Sequence, residues 1–166
     1  VSTNPVTAFK LEIFRTGYYG GAGARLMRTF ESVKGVTQPD PPVGENFVRE
    51  CQWEPSVEFE IPKDWLSGVY LGKMTAKDSG IQSYVIFIVR DDRPCDLLFQ
   101  CSDLTWSAYN RWPADYSIYT EHKDWKSIGA PSGMVSFDRP YGLFTHPVNK
   151  IKTSGGSGEY LPWEFP

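Results

Sequence analysis

The chain has 166 residues, a formal net charge of −3 and an aromatic share of 15%, with 13 prolines and 15 glycines, a mix that favours turn-rich β structure over disorder. No run of Lys or Arg is present that could track a phosphate backbone, which argues against nucleic acid as a partner, and no stretch of about 18 apolar residues that would cross a membrane as a helix. Cys51, Cys95 and Cys101 form an odd set without CxxC spacing, and they read as small buried thiols in a reducing compartment rather than a disulfide framework.

Length gives room for one ordinary domain or two small ones. The chain opens at Val1 without an initiator Met or a signal-peptide pattern. It stops within the aromatic-rich segment 161–166, whose large side chains need something to pack against. Both ends read as those of a piece cut from a longer chain.

In chain order, Phe9-Lys10-Leu11-Glu12-Ile13-Phe14-Arg15 alternates apolar and polar residues with period two, the pattern of a half-buried strand. Residues 16–23 gather glycines around Tyr18-Tyr19. They match no phosphate-binding fingerprint, so a tight turn or bulge is expected. The prolines of 35–46 predict an extended surface loop. Alternation returns at 57–61, a corner follows at 62–68, a strand at 69–74, a turn at 78–80 and a strand at 83–90. That last strand is apolar on both faces and is therefore expected at the centre of a sheet. Strands of this length between Gly, Pro and Asp corners predict an immunoglobulin-like or fibronectin-like β-sandwich over 1–92, with 91–94 as the linker out of it.

Beyond the linker the pattern changes. Residues 97–101 read as a buried strand, Ser102-Asp103 as the cap of a short helix through Tyr109, and 134–137 as a second strand. Together these predict that 93–166 opens an α/β domain without completing it, since such a layer needs more strands and covering helices. Thr153 to Gly158 reads as a flexible loop.

The ends of buried strands in α/β layers are where chemistry is usually placed. Two tyrosines sit near such ends, Tyr109 after the helix and Tyr141 after the second strand, with Trp106, Asn110, Trp112 and Arg139 nearby. Each has a plain structural reading as well. Tyr109 and Tyr141 can be packed aromatics whose hydroxyls bond the backbone; Trp106 and Trp112 can roof a core or line an apolar pocket. Asn110 and Asp138 can fix turns. Arg139 can pair with Asp103 or Asp138, or offset the charge of a phenolate. His122 and His146 lack the spacing of a zinc site, and Cys101 reads as packed rather than nucleophilic.

Five stretches carry a resemblance that periodicity does not supply: 15–25 around Tyr18-Tyr19-Gly20-Gly21, 61–71 around Asp64-Trp65-Leu66, 89–94 with Asp91-Asp92-Arg93-Pro94, 106–112 with Ala108-Tyr109-Asn110, and 136–141 with Asp138-Arg139-Pro140-Tyr141. In this order they resemble the large (β) subunit of N,N-dimethylformamidase and its relatives. The resemblance implies β-sandwich elements joined to a domain similar to class I glutamine amidotransferases. It also implies a mononuclear ferric ion, Fe(III), held by two tyrosinates and a glutamate, and hydrolysis of a small amide to formate and an amine. Matched motif by motif, Tyr109 and Tyr141 are the phenolate ligands, with Tyr119 and Tyr160 as a competing pair. Trp106, Asn110, Trp112, Arg139 and Tyr160 are the site-lining candidates. The glutamate and the catalytic groups fall, on this expectation, beyond Pro166, so the piece by itself is expected to be inactive. A small subunit, homo-oligomerisation and a bacterial cytoplasmic setting are implied likewise. The competing expectation is a non-catalytic module that offers Tyr18, Tyr19 and Trp65 to a glycan or a partner subunit.

Overall fold

The structure is a computed structural model. It describes residues 1–45, 48–110, 112, 134–141, 143–145 and 152–154, with Tyr109 and the last two segments described in backbone only. The chain divides into two compact units, Val1–Pro39 with Trp53–Leu98, and Asp40–Gln52 with Phe99–Pro166.

The first unit is one antiparallel sheet of four strands, β1 (Phe9–Thr16), β2 (Ala24–Val33), β3 (Gly68–Ala76) and β4 (Gln82–Val89), in the order β2-β1-β3-β4. β1 forms as its alternation predicts. Phe9, Leu11 and Ile13 are buried on one face, while on the other Glu12 accepts from both Lys10 and Lys73 at 3.0 Å. Burial alone would raise the Glu12 carboxyl, but the hydrogen bonds from the two ammonium groups outweigh it and hold the group below its ordinary value.

The glycines at 16–23 make the turn between β1 and β2. Gly20, Gly21 and Gly23 all have positive φ, and so does Tyr19, a conformation glycine adopts at little cost. The tyrosine tolerates it inside a clamp, with its hydroxyl accepting from Arg15 Nη1 at 2.5 Å and its ring 4.6 Å beneath the Arg25 guanidinium.

β2 has no clear signature in the sequence. Its register against β1 shifts twice, and each shift changes which neighbours share a face, so the period-two pattern is lost over residues 24–33. The segment 57–61 errs the other way. It alternates cleanly yet joins no strand; Val57 and Phe59 turn inward from an extended connection while Glu58 and Glu60 point out. Alternation records an extended chain with one wet side, and that condition is met by lying across a sheet as well as by pairing in one.

The buried face of the sheet is covered by an aromatic row. Phe30 meets Phe59 at 5.6 Å, Phe59 meets Trp65 at 6.1 Å, Trp65 stacks on Tyr70 at 5.0 Å, and Tyr70 stacks on Phe87 at 5.4 Å. Tyr70 is fully buried, and its hydroxyl donates to the Leu66 carbonyl at 2.7 Å. The corner at 62–68 is thereby nailed onto β3. The stretch read as a linker is fastened to the same corner, since the Asp91 carboxylate accepts from Ser67 N and from the Arg93 side chain and Arg93 also donates to the Trp65 carbonyl. The Arg93 hydrogen bond, helped by backbone donors, draws the Asp91 carboxyl down to about 2.

Several expectations are corrected. The strand expected at the centre of the sheet, β4, is the outermost strand among the described residues; Phe87 and Val89 pack against the core while Val85 and Ile88 stand exposed. The fold is mainly β, and the one four-stranded antiparallel sheet among the described residues of the first unit is consistent with part of the expected sandwich. Residues 97–101 are not a buried strand: Leu97, Leu98 and Phe99 are 88%, 93% and 82% exposed and form no strand. Apolarity by itself does not bury a segment, and here the run lies open among the described residues. Residues 134–137 form no strand either, and Met134 and Phe137 stand exposed. Cys95 is exposed rather than buried, although all three thiols are free.

In the second unit the expected helix is present as α1 (Asp103–Tyr109), but Ser102 makes no side-chain cap, and Asp103 Oδ1 instead accepts from its neighbour Leu104 N at 3.0 Å. Thr153 and Ser154, expected in a loop, belong to β6 (Lys152–Ser154), which pairs antiparallel with β5 (Leu143–Thr145). The strand–helix–strand opening of an α/β layer is not formed by the described residues. Among them no helix is long and apolar enough to cross a membrane.

Candidate functional site

The second unit brings together two segments that the sequence singles out. Helix α1 ends because Asn110 leaves the helical region, with φ −64° and ψ 120°, while its own N–H still donates to the Trp106 carbonyl. The Asn110 side chain is 2% exposed and uses both ends. Its Oδ1 accepts from Trp112 N at 3.1 Å, and its Nδ2 donates to the Pro140 carbonyl at 2.9 Å. The residue after Tyr109 is thus bonded to the residue before Tyr141.

Arg139 closes the same junction from the opposite side. Its Nε donates to the Ser136 carbonyl at 3.0 Å, Nη1 to the Trp112 carbonyl at 3.0 Å, and Nη2 to the Ser107 carbonyl at 2.6 Å. Ser107 lies in the last turn of α1, where a cation is favoured, and its carbonyl also accepts from Asn110 N at 3.2 Å. Neither Asp103 nor Asp138 takes this guanidinium in the structure, which corrects one of the two roles expected for it. Burial pushes Arg139 below its ordinary value and charge on Tyr141 opposes that shift, so the tyrosine lies within electrostatic reach; the guanidinium stays cationic.

The turn that carries Arg139 is itself pinned. Ser136 Oγ accepts from Asp138 N at 2.9 Å and donates to Glu50 Oε1 at 3.1 Å, and Cys51 N donates to the Asp138 carbonyl at 2.6 Å. Glu50 and Cys51, just beyond the 35–46 stretch read from sequence as a surface loop, therefore brace the Tyr141 segment. Ser136 opens the 136–141 motif, but Glu50 carries none, and its distance along the chain leaves no signal that pairs the two.

Of the candidates, Asn110, Trp112, Arg139 and the backbone of Tyr109 and Tyr141 are drawn into one junction. Trp106 is half-buried on α1 one turn before Asn110. The side chain of Tyr109, and Tyr119, Tyr160, His122 and His146 entirely, lie outside the described residues. Among the described residues no three His, Cys, Asp or Glu side chains converge on a common point. Burial raises the thiols of Cys51 and Cys101, with Asp40 and Asp138 adding to the first and Asp103 to the second, which suits packed thiols rather than nucleophiles. The aromatic platform expected of a binding module does not assemble. Trp65 is buried in the core and Tyr19 sits between two arginines, leaving Tyr18 as the exposed ring of the three.

Because the three Arg139 bonds end on main-chain carbonyls, Arg139→Met is expected to lower the stability of the chain by about 3 kcal/mol, as a charged donor is lost and its acceptors are left dry. Arg139→Lys is expected to recover less than half, since an ammonium cannot reproduce the planar fork. Urea unfolding followed by tryptophan fluorescence measures both; equal stability of Arg139→Lys and the parent would mean that the fork is not needed.

No curated protein and no solved structure matches the chain. A family model described as N,N-dimethylformamidase beta subunit-like, C-terminal, matches residues 10–166. That span takes in the sheet, the Asn110–Arg139 junction and the brace from Glu50 and Cys51 together, so the chain belongs to the N,N-dimethylformamidase β subunit-like family.

Proposed function

We propose that this chain is part of an iron-dependent amidohydrolase that cleaves small N-substituted amides, of the N,N-dimethylformamide kind, to formate and an amine. Tyr109 and Tyr141 are the phenolate ligands in this reading. The observation that carries it is the hydrogen bond from Asn110 Nδ2 to the Pro140 carbonyl, 2.9 Å long, because it joins the immediate neighbours of the two tyrosines. The donor set fits the ion in kind, as phenol oxygens are hard anionic ligands once deprotonated and suit a hard cation.

A free phenol titrates near 10, so a tyrosinate at neutral pH needs strong positive charge close by, which a bound trivalent ion provides. When bound, such an ion polarises an amide carbonyl and lowers the pKa of water. The chain's own contribution is positional. Asn110 fixes the end of α1, and Arg139 holds Ser107, Trp112 and Ser136 around it. The half-buried Trp106 and Trp112 offer apolar surface of the sort that N-methyl groups would meet.

The test is purification of the protein that carries this chain, followed by metal analysis and an assay of formate release from N,N-dimethylformamide. Stoichiometric iron and turnover that stops when iron is stripped and returns with ferrous or ferric salt are expected. Iron-free protein that still releases formate would remove the reading.

A further inference from the structure

The stretch from Arg15 to Arg25 carries one of the five motifs of the family resemblance, yet the proposed iron site uses none of it. Its first and last residues meet: Arg15 of β1 is the direct cross-strand partner of Arg25 of β2, and like charges placed opposite each other destabilise a strand pair. Between them the turn is built around Tyr19. A Cβ on Gly17 would come within 3.0 Å of the Tyr19 ring, so the glycine leaves the ring its place. Arg15 holds the turn together, with Nη1 donating to the Tyr19 hydroxyl at 2.5 Å and Nη2 to the Ser67 carbonyl at 2.7 Å. Arg25 has no such duty. Its side chain is exposed, its guanidinium lies over the Tyr19 ring at 4.6 Å, and it makes no hydrogen bond to a described residue. Among the described residues neither arginine is paired with a carboxylate.

We propose that Arg25 and Arg15 form a receptor for a doubly charged oxyanion of the phosphate-ester class. A guanidinium over an aromatic face is held there by the ring while its in-plane N–H donors stay free, so Arg25 presents a fork that suits the oxygens of such an anion. Arg15 is fixed by Tyr19 and Ser67 and keeps a further N–H on each terminal nitrogen beyond those two bonds. A dianion offsets both of the opposed charges at once, which a single carboxylate does not. Recognition is by side chains alone, because the amides of Gly21, Ala22 and Gly23 donate inward to the Tyr18 and Tyr19 carbonyls. The turn can therefore take this class of ligand without the glycine fingerprint that cradles a phosphate in backbone amides. The site is open to water, so the affinity is expected to be on the order of 1 mM.

Titration of the isotope-labelled full chain with sodium phosphate over about 0.1–30 mM, at ionic strength held constant with sodium chloride and followed by amide NMR, tests this. Saturable shifts confined to the amides around 15–25 are expected, and sodium acetate is expected to bind there at least ~10-fold more weakly. Arg25→Gln is expected to weaken phosphate binding at least ~10-fold and Arg25→Lys to recover part of the loss. Arg90→Gln, at an exposed arginine elsewhere in the same unit, is expected to change nothing. Because Arg25 is exposed, its variants should keep the parent's amide spectrum away from the turn, which separates lost binding from lost fold. No saturable shift at the turn, equal affinity for acetate and phosphate, or binding that Arg25→Gln leaves undiminished would each overturn the proposal. Phosphate taken up by a metal elsewhere in the protein would give the last of these results.

Discussion

Tyr70→Ala is expected to lower the unfolding free energy by about 3–5 kcal/mol, the range for removing a large buried ring. The expectation rests on position. Tyr70 is fully buried between Trp65 and Phe87, so truncation opens a cavity between two flat aromatic faces. Its hydroxyl also closes the 62–68 corner through the Leu66 carbonyl. Tyr70→Phe keeps the ring and loses that bond, for an expected cost of about 1 kcal/mol. Tyr18→Ala, at a ring that is 83% exposed, is expected to stay within about 0.5 kcal/mol of the parent. Urea denaturation of the three variants checks the ranking, and a Tyr70→Ala protein no weaker than Tyr70→Phe would show that the aromatic row is not what holds the corner to the sheet.

The two tyrosine environments differ in kind. Burial raises the Tyr70 phenol, and its hydroxyl donates to a carbonyl, so it serves as a neutral packing group. Tyr141 is half-buried in a turn beside a cationic guanidinium that is held by carbonyls rather than by a carboxylate. That contrast is what makes Tyr141 a chemical candidate.

How far the sequence reveals this depends on what each pattern encodes. β1 is legible because one face is buried, β3 because it is a short apolar run between corners, buried on both faces at Tyr70, Leu71 and Gly72, and their registers run without disturbance against each other. β2 was not, because bulges break its parity. β4 was legible as a strand but not by its place in the sheet: its apolar composition says that both faces avoid charge and says nothing of what lies alongside. The run at 97–99 shows the limit of composition most clearly, since three large apolar residues there are exposed. At the candidate site, Asn110 and Arg139 stand out beside the two tyrosines, yet their partners are main-chain groups at 107, 112, 136 and 140, and a main-chain group has no letter in a sequence. The brace from Cys51 is illegible for the same reason, and that from Glu50, a side-chain contact to Ser136, through its distance along the chain.

The largest functional effect is expected from the tyrosines themselves. Tyr109→Phe and Tyr141→Phe each delete one phenol oxygen with almost no change in volume; on the proposed reading each removes a metal ligand while the fold persists, and formate release is expected to fall by ~100-fold or more, beyond the loss typical of changing a group that only supports a ligand. The most direct measurement is the visible absorption spectrum of the purified protein that carries this chain. Phenolate bound to ferric iron gives a charge-transfer band, so the parent is predicted to be coloured, with the band weakened and shifted in each single variant and abolished in the double variant. A colourless, iron-free parent would contradict the account, and so would a band that survives in the double variant and disappears on Tyr119→Phe or Tyr160→Phe.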